Sequence, residues 1–455
     1  MKVSPEIFRQ YDVRGIYGQD LDESTAEGIG KAVGTMTMRS GAKKVAVGAD
    51  NRISSEPLKK ALINGLLSTG VDVIDIGTVI SPVLYYSRIF FNTNSAVMIT
   101  ASHNPGKYNG FKICSSDGET LYGDGLQEVR KMIENDDFVT GPAGKVEEHK
   151  INNEFTDMIT EKIRLGKRKL KVAVDCGNGT ASFYAEEFLK KLGCEVIPIY
   201  CESDPTFPNH HPDPVKADNL KDLIKLTLEN KADLGIGFDG DGDRIGVVDD
   251  KGNVIYGDQL MILYWREIMP KHPKAKAIVE VKCSQALADE IEKLGGEPIF
   301  YKTGHSLIKA KMKEIGAIFT GEMSGHMFFK DEYYGYDDAL YAAGRLLRIL
   351  SNSDKTMSEL LSNINKYYST PEIRLHTEES KKFQTVENVR AYFKQKSMPM
   401  IEVDGVRALF GHGWGLVRAS NTGPELIVRC ESNTPEGLDT IKQEMSKSLG
   451  MELKM

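Results

Sequence analysis

The chain has 455 residues, 40% of them hydrophobic, with a formal net charge of −7 and 58 basic residues that form no basic run. A prior of roughly 150 residues per domain predicts about three domains with sizeable cores. The charge distribution excludes a nucleic-acid surface, and no stretch approaches the roughly 20 apolar residues that a membrane-spanning helix needs.

The first 14 residues lack an apolar core of signal-peptide length, so a cytoplasmic location and no membrane partner are expected. Three segments then share one grammar. In the first, a strand at Lys44 to Gly48 is followed by a helix near Glu56 to Leu67, then Gly70 and a second strand at Val71 to Ile76. The order recurs at Leu170 to Val174, Ala185 to Leu192, Gly193 and Glu195 to Ile199. It recurs again at Ala277 to Val281, Ala286 to Leu294, Gly295 and Glu297 to Tyr301. Glycine after each helix is a stop signal, and strand-helix-strand order predicts parallel pairing by a right-handed crossover. Six cysteines, Cys114, Cys176, Cys194, Cys201, Cys283 and Cys430, include no C-x-x-C pair, which predicts reduced structural thiols and no zinc site.

After each unit comes a further strand ending in a polar loop. Ala96 to Thr100 leads into Ala101-Ser102-His103-Asn104-Pro105, Leu234 to Phe238 into a run of aspartates, and Ala317 to Thr320 into Gly321-Glu322-Met323-Ser324-Gly325-His326. Equivalent loops would line one crevice if the units sit side by side. From about Pro371 the grammar breaks, and the remainder reads as a smaller α+β domain. The predicted fold class is therefore α/β, three related mixed α/β domains in tandem followed by a smaller α+β C-terminal domain. The boundaries are 1–150, 151–253, 254–368 and 369–455.

The aspartate loop carries the most chemistry. Asp239, Asp241 and Asp243 alternate with Gly240 and Gly242 and are followed by Arg244. In an extended chain this spacing puts the three side chains on one face, and glycine lets the backbone curl until the carboxylates meet. Crowded carboxylates repel, so at least one should have a raised pKa and the loop should take a cation. Few hard oxygen ligands with open coordination sites suit Mg2+ shared with a phosphate, and Arg244 suits an anion beyond the metal. An EF-hand would need Gly where Arg244 stands and Glu at Asp250, and a dinucleotide fingerprint would need a following helix. A solvated acidic turn is the plain alternative. In the last domain, Arg418, Ser420, Asn421 and Thr422 beside Gly423 form a nest suited to a phosphate, although Ser-Asn-Thr-Gly without the arginine is ordinary turn chemistry.

Together these loops resemble the α-D-phosphohexomutase superfamily, and within it the phosphomannomutase/phosphoglucomutase branch. The motifs occur in family order: Phe8-Arg9-Gln10-Tyr11-Asp12-Val13-Arg14-Gly15, T-A-S-H-N-P, D-G-D-G-D-R, G-E-M-S-G-H and R-A-S-N-T. The resemblance implies that Ser102 carries a phosphoryl group and binds Mg2+ together with Asp239, Asp241 and Asp243. Arg244 and Lys112 are typed to cancel the charge of that group as it leaves. The surroundings of Ser102 are not G-x-S-x-G, which argues against a hydrolase triad. On an extended chain His103 would point away from Ser102 and organise the loop.

The resemblance further assigns Glu322 and Ser324 to sugar hydroxyls, with Lys282 and His305 lining the substrate pocket. Arg418, Ser420, Asn421 and Thr422 would hold the phosphate that is not reacting, and Tyr11 and Arg14 are further substrate contacts. His326 has two readings, a general acid or base and a hydrogen-bonded loop histidine. The expected activity is reversible interconversion of hexose 1-phosphates and hexose 6-phosphates of mannose and glucose, through phosphoserine and a 1,6-bisphosphate. Mg2+ is the expected cofactor and glucose 1,6-bisphosphate the expected activator. Met323 matches this branch, whereas the phosphoglucosamine mutase branch more usually has glutamine there. A non-catalytic sugar-phosphate sensor and a Mg2+-dependent phosphatase are alternatives from other classes. A hinge near Pro371 would let the intermediate turn, and a monomer and a dimer fit the sequence equally.

Overall fold

The computed structural model describes residues 2–116, 118–421 and 423–453. Two compact units emerge, one running to Gly257 and joined by Ser324–Leu360, the other comprising Asp258–Met323 and the chain from Leu361 onward.

The first unit holds two sheets. In one, β1 (Val13–Ile16), β2 (Lys44–Ala49), β3 (Asp72–Thr78), β4 (Ala96–Ile99), β5 (Tyr108–Cys114) and β6 (Val146–Glu148) lie in the order β1-β5-β4-β2-β3-β6. The pairings of β2 with β3 and β4, and of β3 with β6, are parallel, while β5 and β1 add antiparallel edges. The central strands β2 and β4 are buried on both faces, which explains the near-continuous apolar runs Val45 to Ala49 and Ala96 to Ile99. The second sheet has β7 (Lys171–Asp175), β8 (Glu195–Ile199), β9 (Leu234–Phe238), β10 (Ile245–Val248) and β11 (Val254–Ile255) in the order β11-β10-β9-β7-β8.

The predicted repeat is present in all three places. Helices Ser55–Ser68, Ala185–Lys191 and Gln285–Lys293 each connect two parallel strands, the third pair being Lys276–Glu280 with Glu297–Tyr301. Gly70, Gly193 and Gly295 follow these helices at φ of +93°, +91° and +83°, the left-handed geometry that only glycine adopts without strain. Two strands start one residue later than predicted, at Asp72 and Lys171, and a third starts two residues later. The strand expected from Ala317 begins at Phe319, because Gly316 closes the helix His305–Ile315 in a left-handed turn and the Ala317 N–H bonds back to Met312 O.

In the second unit the C-terminal part is α+β, as expected. Strands Tyr368–Ser369, Glu425–Ser432, Gly413–Ala419, Val406–Phe410 and Met400–Ile401 form an antiparallel sheet, with Ile373–His376 also paired to Glu425–Ser432. Helices Lys382–Gln395 and Pro435–Leu449 cover it through Val389, Phe393, Ile441 and Met445. The strand at Tyr368 precedes the break that Pro371 suggested. All six cysteines are free thiols, and among the described residues no helix is long and apolar enough to cross a membrane.

Candidate active site

The aspartate loop links β9 to β10, whose antiparallel register sets Phe238 opposite Ile245. It is a tight turn between two buried strands, as glycines that let the backbone curl suggested. Asp239 organises it, since its Oδ1 accepts the N–H groups of Asp243 and Arg244, each at 3.1 Å. Gly242 supplies the positive φ of +68° that such a turn requires. Oxygens of Asp239, Asp241 and Asp243 then lie within 4.8 Å of one another, and all three residues are 0% exposed.

A buried lysine enters this cluster, and Arg244 Nε lies 3.4 Å from Asp239 Oδ2. Lys112, on β5, sets its Nζ 2.6 Å from Asp241 Oδ2 and also bonds Asp243. Burial would lower its pKa, but Asp241 and Asp243 together raise it well above the ordinary lysine value. Against the burial that would raise it, Asp243 is held well below the usual carboxylate range by Lys112 and His326. Asp239 goes the other way, pushed well up by burial and then by Asp243 and Asp241. This is the raised carboxylate expected from the crowding.

Ser102 sits on the same cluster. Its Oγ donates to Asp239 Oδ2 at 2.7 Å and accepts from Arg244 Nη2 at 2.9 Å. The backbone at Ser102 is left-handed, with φ +51°, so the extended-chain expectation for His103 fails. The turn folds the histidine back, and its Nδ1 lies 3.2 Å from Ser102 Oγ. Gly240 permits this approach, since a Cβ there would fall 2.4 Å from Ser102 O. Arg14 reaches the same loop through Asn104 Oδ1 at 3.2 Å, while Tyr11 is buried at 8% exposure.

His326 belongs to this unit too. Its Nε2 is 3.2 Å from Asp243 Oδ1 and 3.9 Å from Asp337 Oδ2, and its Nδ1 is 3.3 Å from Ser324 Oγ. The structure therefore brings Ser102, His103, Lys112, the three aspartates, Arg244, Ser324 and His326 together.

The remaining predicted residues lie in the second unit. Lys282 Nζ is 3.1 Å from Glu372 Oε2, and Arg418 Nε is 2.9 Å from Asp404 Oδ2. Glu322 Oε1 accepts the Gly304 N–H at 2.7 Å, just before His305 opens its helix. Lys282, Glu322 and Arg418 all act electrostatically on buried Glu280, whose pKa is raised by burial although Lys282 opposes it. The Ser420 carbonyl accepts from the buried Lys382 Nζ at 2.7 Å, and Asn421 follows in the same loop. Thr422 lies outside the described residues.

Several contributors went unseen in the sequence. Ser81 donates to Asp241 Oδ2 at 2.6 Å, and its N–H reaches Asp241 O at 2.8 Å. Only Pro82, a helix-start signal, marked that position. Glu372, Asp404 and Lys382 are single charged letters outside any motif.

The donor set fits a divalent cation. Asp241 Oδ1 is buried and accepts no hydrogen bond, and it belongs to a cluster of hard oxygens short of positive charge.

Four family profiles match the chain in order. They are described as phosphoglucomutase/phosphomannomutase alpha/beta/alpha domains I, II and III and the C-terminal domain, and they cover residues 5–140, 153–252, 256–367 and 372–448. A phosphomannomutase/phosphoglucomutase of Pseudomonas aeruginosa is 47% identical over 436 residues, 96% of this chain and 94% of that protein. A phosphoglucomutase of Neisseria gonorrhoeae is 42% identical over 443 residues, 97% of this chain and 96% of that one. The crystal structure of a phosphoglucomutase/phosphomannomutase family protein from Burkholderia thailandensis superposes with a TM-score of 0.92 at 39% identity, covering 98% of each chain.

Proposed function

The chain belongs to the phosphoglucomutase/phosphomannomutase family and is a reversible hexose-phosphate mutase; from that premise we propose which side chains do the work and on which sugars. Ser102 carries the phosphoryl group, and mannose and glucose phosphates are the substrates. The observation that carries this reading is the Ser102 hydroxyl, held between the Asp239 carboxylate and the Arg244 guanidinium.

Asp239, Asp241 and Asp243 would hold Mg2+ together with the phosphorylated Ser102. When bound, the metal offsets the carboxylates and draws charge from the phosphoryl oxygens. Arg244, 2.9 Å from Ser102 Oγ, offsets the charge left on that oxygen as the phosphoryl group departs to a substrate hydroxyl. Lys112 cancels charge beside it, and His103 and His326 are the titratable groups placed to hold a proton near the transfer. The product of the first transfer is a hexose 1,6-bisphosphate, which turns round and returns its other phosphoryl group to Ser102.

Turning requires one grip that works in either orientation. Glu322 and Ser324 grip sugar hydroxyls, with Lys282, His305, Tyr11 and Arg14 as further contacts. Arg418, Ser420, Asn421 and Thr422 hold the phosphate that is not reacting. A grip on O3 and O4 is blind to C2, the only centre at which mannose and glucose differ. Glucose 1,6-bisphosphate acts as activator because it restores phosphoserine.

Intact-mass measurement before and after incubation with glucose 1,6-bisphosphate tests the scheme. The wild type should gain one phosphoryl group. Ser102→Ala should gain none and lose turnover by several orders of magnitude; near-normal turnover would remove the covalent step. Turnover of glucosamine 6-phosphate far above that of mannose and glucose phosphates would overturn the sugar assignment.

A further inference from the structure

We infer that Arg52 is a positioning residue for phosphoryl transfer, a buried guanidinium that holds the backbone of Ser102 in the conformation that keeps its Oγ on the carboxylate cluster. This rests on Ser102 being the phosphoryl carrier.

Arg52 touches no reacting atom, and its side chain is 1% exposed. Its partners are backbone carbonyls of the loop after β4. Nη2 donates to Ser102 O at 2.7 Å and to Asn104 O at 2.6 Å. Nη1 donates to Pro105 O at 2.9 Å and to Tyr108 O at 3.2 Å, and Nε donates to Asp50 Oδ2 at 3.0 Å. A guanidinium has five N–H groups, and five acceptors face them. One planar cation thereby cross-braces the turn from Ser102 to Tyr108.

The brace itself is anchored. Asp50 extends β2, its N–H bonding Ile99 O at 2.9 Å, and its Oδ1 accepts the Arg52 N–H at 3.0 Å and the Ser55 hydroxyl. The Phe207 ring lies 5.3 Å from the guanidinium carbon, within the range of a cation–π contact.

The need for a brace follows from Ser102. A left-handed φ of +51° is unfavourable for a residue with a Cβ, and it persists only where the surroundings over-determine it. Thr100 Oγ1 accepts the Ser102 N–H at 2.8 Å and fixes one side of the residue, while Arg52 fixes the carbonyl side. Relaxation to a right-handed φ would swing Oγ away from Asp239 and Arg244. A misplacement of about 1 Å can cost transfer on the order of 100-fold.

The test is rapid-quench phosphorylation of Ser102 by glucose 1,6-bisphosphate, read by intact mass, alongside steady-state kcat and KM. Arg52→Met removes the brace, and Arg52→Lys keeps the charge beside Asp50 but cannot reach four carbonyls. Arg52→Lys should fold, lose phosphorylation rate and kcat on the order of 100-fold, and keep its KM for hexose phosphate. Arg52→Met should be at least as slow, and if it fails to fold, Arg52→Lys decides. Wild-type phosphorylation rate in Arg52→Lys, a loss confined to KM, or failure of Arg52→Lys to fold would each overturn the inference. A wild type that never gains a phosphoryl group would instead sink the reading of Ser102 on which it rests.

Discussion

The carboxylate cluster around Asp241 and the mixed cluster around Lys282 are both buried, yet they balance charge in different ways. In the first, three carboxylates share Lys112, Arg244 and His326, and Asp239 is driven toward its neutral form by burial and by the two carboxylates beside it. In the second, each cation meets a carboxylate, Lys282 at Glu372 and Arg418 at Asp404, and Glu372 is also paired with Arg374. There burial raises the pKa of Glu280, while Glu372 is held at about 2 chiefly by Lys282. A cluster short of cations is ready to take one from solution. In a cluster whose cations already meet carboxylates, a phosphate competes with those carboxylates for the same cations. Burial alone therefore does not say what a charged site binds; the pairing does.

Removing the shared cation should break the comparison most severely. Lys112→Met leaves the three buried carboxylates with too little compensation and should cost the metal-free protein about 3–5 kcal/mol. Thermal unfolding with and without Mg2+ checks this, because the metal should recover more stability in the variant than in the wild type. Equal losses in both conditions would show that Lys112 is not the internal counter-ion of the cluster.

In the paired cluster the expected loss is smaller and of another kind. Arg418→Met should raise KM for hexose phosphates about 10–100-fold, the equivalent of one charge-assisted hydrogen bond, with a lesser change in kcat. An unchanged KM would remove Arg418 from phosphate binding and leave its bond to Asp404 a matter of folding alone.

The smallest effect concerns acid stability. Glu372 falls from an ordinary value of 4.5 to about 2, so the stability it contributes is fully present above about pH 4.5 and is lost as pH falls through about 2. Glu372→Gln should be less stable than the wild type at neutral pH, and the difference should shrink across that window. Urea-unfolding midpoints over the window check the sign. A gap that widened toward low pH would mean that Glu372 is not the partner that Lys282 holds ionised.

Much of this was legible in the letters. Strand-helix-glycine-strand was readable three times over because a glycine after an apolar helix has one physical use, and parallel pairing follows from the crossover. Three aspartates two apart must crowd wherever the chain turns, so a shifted carboxylate was predictable without knowing which one. The geometry of the turns was not legible. Ser102 is left-handed although it is neither glycine nor asparagine, and that one dihedral brings His103 to a place where an extended chain would not put it. Arg52, Ser81, Glu372 and Asp404 carry no motif, since each acts on a group far away in sequence.

Spacing along the chain determined the four loops, their residue types and the charge each would gather, because neighbours in sequence are neighbours in any fold. Tertiary structure alone decided the partners. Ser102 and Asp239 are 137 positions apart, Lys112 and Asp241 are 129, and Lys282 and Glu372 are 90. Contacts at such distances are chosen by which sheets and helices can bury their apolar faces together. The hydrogen bonds and charges of the site then form among the groups that this packing has already brought within reach.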